Sequence, residues 1–194
     1  LLLQHLPNAA LVAHPRAAPH LIYPTKLVEG ATAVYGEEEI QRSYGTVQPV
    51  PKARVRIVED GETLMLSGRA LQFIDTPGHA RHHHCIWDAR SRCWFTGDTF
   101  GLSYRELDGP QGAFILPTTT PVQFEPVALK TSIARMVAYE PDGMYLTPYG
   151  RVGDVPRLAQ ALYEQIDAMV AIAEACDGRA DRHRCLTAGL SALY

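Results

Sequence analysis

The chain has 194 residues, 46% of them hydrophobic, enough to bury a core of its own, and is expected to form one domain over 1–194. A formal charge of −3 and an isoelectric point near 6.2 leave no general attraction for nucleic acid or an anionic membrane. No apolar run approaches the roughly 20 residues that span a bilayer. Four cysteines, Cys85, Cys93, Cys176 and Cys185, lack CxxC spacing and are expected as buried thiols of a reducing compartment, which points to the cytoplasm, with a disulfide or a metal site as the alternatives.

In chain order, Leu1-Leu2-Leu3 and Leu6, closing at Pro7-Asn8, predict the last turns of a helix. Residues 10–13 predict a short strand ending at His14-Pro15. His5, His14 and His20 are single histidines, for which solvation or hydrogen bonding is the ordinary outcome and metal ligation the exception. Residues 24–44 turn helical, and Glu37-Glu38-Glu39 opens a second short helix where acids complement the helix dipole. Residues 46–52, with Pro49 and Pro51, read as a linker within the domain. Next, 54–58 alternates, with Val55 and Ile57 against Arg54 and Arg56; Glu59-Asp60-Gly61 turns, 63–66 puts Leu64 and Leu66 on one side, and Ser67-Gly68 turns again. Consecutive short strands of this kind predict an antiparallel meander.

The stretch 71–100 then brings a histidine and an aspartate together. Residues 71–74 form an apolar run that Pro77-Gly78 breaks, so His79 sits on a turn just past a strand end. A second run, 85–87, leads into the polar turn Asp88-Ala89-Arg90-Ser91, and the chain returns as 93–96. The free ends of such a hairpin share one edge, so the imidazoles of His79 to His83 and the carboxylate of Asp98 are expected to emerge side by side. Imidazole and carboxylate suit zinc, iron or manganese, yet a zinc site takes at least three protein ligands. On spacing alone, polar residues that merely cap the hairpin ends explain the pattern equally well. His82 and His84, on the opposite side of the strand from His83, are expected to be structural or solvated.

Residues 100–121 predict a long irregular loop with Tyr104, Phe114 and the polar run Thr118-Thr119-Thr120. Such a loop can cover substrate, with Arg105, Glu106 and Asp108 as candidate contacts, or can be a surface loop with aromatic anchors. Leu129, Ile133, Met136 and Val137 recur at helical spacing within 125–139, with Gly143 as the stop. A buried strand at 144–146 and a turn at Thr147-Pro148-Tyr149-Gly150 lead to a long helix. Asp154 is its expected N-cap, and Leu158, Leu162, Ile166, Met169, Val170 and Ala173 are its core stripe. A short final helix is expected after Gly178.

The run Asp75-Thr76-Pro77-Gly78-His79, then His83, then Phe95-Thr96-Gly97-Asp98-Thr99, resembles the metallo-β-lactamase superfamily of metal-dependent hydrolases, which includes glyoxalase II-type thioesterases. The resemblance implies an αββα four-layer sandwich. It makes His79 a metal ligand and Asp98 a catalytic residue that bridges two metals, with His83 supporting the ligands from behind. The implied cofactor is zinc, with iron or manganese as alternatives, and the implied partner is a small-molecule substrate, an ester, thioester, lactone, β-lactam or phosphoester attacked by metal-bound hydroxide. The family's HxHxDH signature occurs nowhere in the sequence, so the chain is expected to be an amino-terminally incomplete domain lacking the first strands. Pro148 stands where the family carries its last histidine ligand; proline offers a metal no lone pair, which leaves Tyr149 as a possible substitute ligand. Two other readings remain open: a non-catalytic scaffold with a decayed site, and a diiron redox protein.

Overall fold

In the computed structural model, residues 2–120, 123–147 and 150–194 are described, and the chain divides into two compact units, Leu1–Glu62 and Thr63–Tyr194. The architecture is mixed α/β, as the resemblance implies.

The first unit holds α1 (Leu2–His5), β1 (Leu11–Ala13), α2 (Ala18–Ile22), α3 (Thr25–Tyr35), α4 (Glu37–Tyr44) and β2 (Val55–Ile57). Gly36, at φ +84°, breaks the helical stretch into α3 and α4, and the three glutamates form the first turn of α4. The Arg54 guanidinium reaches back to the carbonyls of Leu3 in α1 and of Leu6 and Ala9 beyond it, tying the segment before β1 to the start of β2. The expected meander is corrected here: β2 pairs in parallel with β1, Leu11 opposite Val55 and Ala13 opposite Ile57. The 59–62 turn closes on itself, with the Glu62 N–H donating to the Glu59 carbonyl at 3.1 Å. The Val58 N–H, just beyond β2, donates to the Ala13 carbonyl.

The second unit is built on a six-stranded sheet in sequential order: β3 (Thr63–Leu66), β4 (Arg69–Asp75), β5 (His84–Asp88), β6 (Cys93–Gly97), β7 (Gly143–Leu146) and β8 (Gly150–Val152). Every pairing is antiparallel except β6 with β7, where the crossover carries α5 (Pro126–Val137). Two further helices follow, α6 (Val155–Ala175) and α7 (Arg182–Leu193). One face of the sheet presents Ile74, Cys85, Trp87, Trp94, Met144 and Val152 to Leu129, Ile133 and Met136 of α5 and to Leu158, Leu162 and Ile166 of α6. The Trp94 indole N–H donates to the Met136 carbonyl at 3.1 Å, and Trp87, Trp94 and Tyr139 pack ring against ring.

Three local expectations need correction. Asp154 precedes α6 but lies in the left-handed region, at φ 48° and ψ 45°, and makes no cap hydrogen bond; its carboxylate accepts from Arg157 Nε at 2.6 Å. Helix α5 ends at Val137 rather than at Gly143, which instead opens β7, where the Arg151 guanidinium fills the space a Cβ would need. Cys176 and Cys185 form a disulfide across the α6–α7 turn with Cα atoms 5.7 Å apart, while Cys85 and Cys93 are buried free thiols. A nine-residue separation carries no CxxC-like signature, and the helix reversal at Gly178, φ +65°, brings the two cysteines together. The disulfide removes the ground for placing all four thiols in a reducing compartment. Among the described residues no helix is long and apolar enough to cross a membrane.

The hairpin turn is anchored by Asp88, which is fully buried. Its carboxylate accepts from Arg69, Ser91 and the Arg90 N–H, and the Arg69 hydrogen bond above all holds its pKa down at about 2. A depressed folded-state pKa contributes stability in full above the ordinary carboxylate value. Acid denaturation is therefore expected to weaken the fold as pH falls from 3.8 toward about 2, and Asp88→Asn to flatten that limb while lowering stability at neutral pH by about 2 kcal/mol. Thiol titration in denaturant is expected to find the two thiols of Cys85 and Cys93 without reductant and all four cysteines after reduction.

Candidate metal centre

His79 and Asp98 come from the two free ends of the β5–β6 hairpin region and meet at one rim. His79 Nε2 lies 3.5 Å from Asp98 Oδ2; the imidazole is 14% exposed and the carboxylate 40%. That separation is long for a hydrogen bond, and the buried His79 Nδ1 has no hydrogen-bond partner among the described residues.

Each residue is held by its backbone. The turn ahead of His79 presses on the start of α5: the Glu125 N–H donates to the Gly78 carbonyl at 2.8 Å and the Ser132 hydroxyl to the Pro77 carbonyl at 2.7 Å. A Cβ on Gly78, at φ +124°, would stand 2.2 Å from the Leu129 nitrogen, so only glycine permits this approach. On the other side, Asp98 follows Gly97 at φ +49°, where a Cβ would fall 2.4 Å from His83 Nε2.

His83 fills that space. Its Nε2 accepts the Asp98 N–H at 3.1 Å, so this nitrogen carries no proton and Nδ1 carries the ring hydrogen. Behind it the bonds run in one direction. Nδ1–H points at Thr99 Oγ1, 2.9 Å away, the Thr99 hydroxyl donates to Thr76 Oγ1 at 3.3 Å, and Thr76 donates to Cys85 Sγ at 3.2 Å. The Cys85 thiol in turn donates to the Thr96 carbonyl at 3.3 Å. Burial pushes that thiol up to about 12, so it stays protonated and serves as a donor. The His79 and His83 rings meet edge to face at 5.9 Å.

A third segment closes the site. The Thr118 hydroxyl donates to the Asp98 carbonyl at 2.6 Å and the Thr120 hydroxyl to the His79 carbonyl at 2.7 Å. Sequence reasoning noted the threonine run without giving it a role; the signal available was period-two spacing, which puts residues 118 and 120 on one side of an extended segment. Thr76, Thr99 and Cys85 were likewise missed, being ordinary strand-end residues in the sequence.

Arg105 and Asp108 serve the loop itself. The Asp108 carboxylate accepts the Phe114 N–H at 2.9 Å and pairs with Arg105, so both shape 105–114. His14 Nδ1 accepts the Arg16 N–H at 3.0 Å. Pro148 and Tyr149 lie outside the described residues. Among the described residues no group of three or more His, Cys, Asp or Glu side chains could hold a metal, so His79 and Asp98 stand as two donors.

A sequence model of the metallo-β-lactamase superfamily matches residues 3–148. The metallo-β-lactamase fold-containing protein ST1585 of Sulfurisphaera tokodaii is 34% identical over 98 residues, 50% of this chain and 33% of that protein. Its crystal structure, described as that of an archaeal superfamily protein from Sulfolobus tokodaii, superposes with a TM-score of 0.68 at 26% identity, over 87% of this chain and 60% of that one. The metallo-β-lactamase family protein TTHA1429 of Thermus thermophilus gives a TM-score of 0.62 at 19% identity, over 88% and 57% of the two chains. The present chain thus spans from a third to three fifths of the length of these relatives.

The packing behind the rim makes a direct prediction. Gly97→Ala is expected to displace His83 and lower stability by about 2 kcal/mol or more in urea denaturation. A change below about 0.5 kcal/mol, the range of an ordinary surface substitution, would show that the imidazole does not occupy that space.

Proposed function

The chain belongs to the metallo-β-lactamase superfamily, and we propose that it carries part of a metal-dependent hydrolase centre in which His79 and Asp98 are ligands. One observation carries the reading: an imidazole nitrogen and a carboxylate oxygen face each other 3.5 Å apart at an open rim, each on a backbone fixed from behind. Neither group satisfies the other at that distance, and the donor types, one nitrogen and one carboxylate oxygen, suit zinc, iron or manganese. The pair fits such an ion as two members of a ligand set, since a zinc site takes at least three protein ligands.

A divalent cation held there would supply Lewis-acid polarisation of a carbonyl or phosphoryl centre and acidify water toward neutrality. Asp98 adds the negative charge that retains the cation and, with an exposed carboxylate, can accept a proton-bearing group of the substrate or water. His79 presents its nitrogen from a largely buried ring, which limits rotation. His83, both of whose nitrogens are engaged, orients the Asp98 backbone instead of binding metal itself. Zinc is the first choice, and an ester, thioester, lactone, β-lactam or phosphoester is the substrate class.

A second reading, a non-catalytic scaffold on the same fold, is favoured by the donor count of two among the described residues. Metal analysis after equilibration with zinc, iron or manganese separates the two. The hydrolase reading expects bound metal in the wild type and none retained in His79→Ala or in Asp98→Ala, each of which loses one of the two donors. Metal content unchanged in both variants would refute the ligand assignment, and a wild type that retains no metal would favour the scaffold.

A further inference from the structure

The loop 100–120 does not simply leave the site. It returns along itself through an antiparallel bridge between Leu102 and Leu116, with N–H to carbonyl distances of 2.9 and 3.0 Å. A Cβ on Gly101 would lie 2.3 Å from the Leu116 carbonyl oxygen, so the close approach depends on that glycine, at φ +75°. The returning segment then lays Thr118 and Thr120, both half-buried, against the site while Thr119 between them is exposed. The two inward hydroxyls take different partners: Thr118 the carbonyl of Asp98 and Thr120 the carbonyl of His79.

We infer that Thr118 and Thr120 are positioning residues, a two-point clasp that fixes His79 and Asp98 relative to each other; the inference rests on the metal reading above for its purpose. His79 and Asp98 belong to separate chain segments, which His83 also touches. One extended segment that donates to both carbonyls ties the two separately held backbones into one rim, and loss of such outer supports typically costs a metal site about tenfold to hundredfold in affinity. Because the hydroxyl donors bond to backbone carbonyls, the clasp acts without touching either ligand side chain.

The test compares Thr118→Val/Thr120→Val, which keeps shape and removes both donors, with Thr118→Ser/Thr120→Ser, which keeps them. In the metal-free protein, amide order parameters at His79 and Asp98 are expected to fall from about 0.85 toward about 0.6 in the valine variant and to return in the serine variant, while those of Ile74 and Trp94 stay high. Zinc affinity, measured by competition with a chromophoric chelator, is expected to drop about tenfold or more in the valine variant only. Unchanged order parameters in a folded valine variant would overturn the clasp, as would zinc affinity equal to that of a zinc-binding wild type. A wild type that takes up no zinc refutes the metal reading instead, and the order parameters still decide the clasp.

Discussion

The imidazole of His83, wedged against a glycine that has no side chain, is the contact on which the site depends. It sits just before β5 and bonds to a backbone N–H just after β6, so it ties the two free ends of one hairpin across the strands that separate them in sequence. A hairpin alone places its ends on a common edge but leaves their angle soft. The His83 bond and the 2.4 Å limit at Gly97 remove that freedom, and the turn at Pro77-Gly78, pressed onto α5, removes it for His79.

The site is electrostatically lopsided, which suits a cation. Behind the rim stand a half-buried imidazole in one tautomer, two buried threonine hydroxyls and a thiol held protonated by burial, each donating to the next. In front stand an imidazole nitrogen and an exposed carboxylate, the donor types that a divalent cation takes. A neutral, directionally satisfied backing neither repels a cation nor competes for it. The charge that the hairpin does bury, Asp88, lies at its opposite end and is compensated by Arg69.

The part of this arrangement legible in the sequence was the part written in local periodicity. Alternation and turn residues gave the β5–β6 hairpin, and from it the meeting of His79 and Asp98 followed by geometry. The 3.6-residue stripes gave α5 and α6, though not the left-handed backbone at Asp154, which depends on how the β8–α6 turn closes. What escaped was non-local. The parallel pairing of β1 with β2 joins residues 11–13 to 55–57, and no pattern within either strand specifies its partner. The Cys176–Cys185 bond depends on the angle between two helices. The threonine contacts depend on where the long loop after Asp98 returns, about which composition is silent.

Nitrogen-15 spectra of the histidine rings during a zinc titration test the central claim most directly, because they report each imidazole separately. If the rim was built for a cation, the His79 ring resonances move as zinc is added while His83 keeps the pattern of a neutral ring protonated at Nδ1 throughout. A His79 ring that ignores zinc, or a His83 ring that is protonated at Nε2 or itself takes up the metal, would contradict the account.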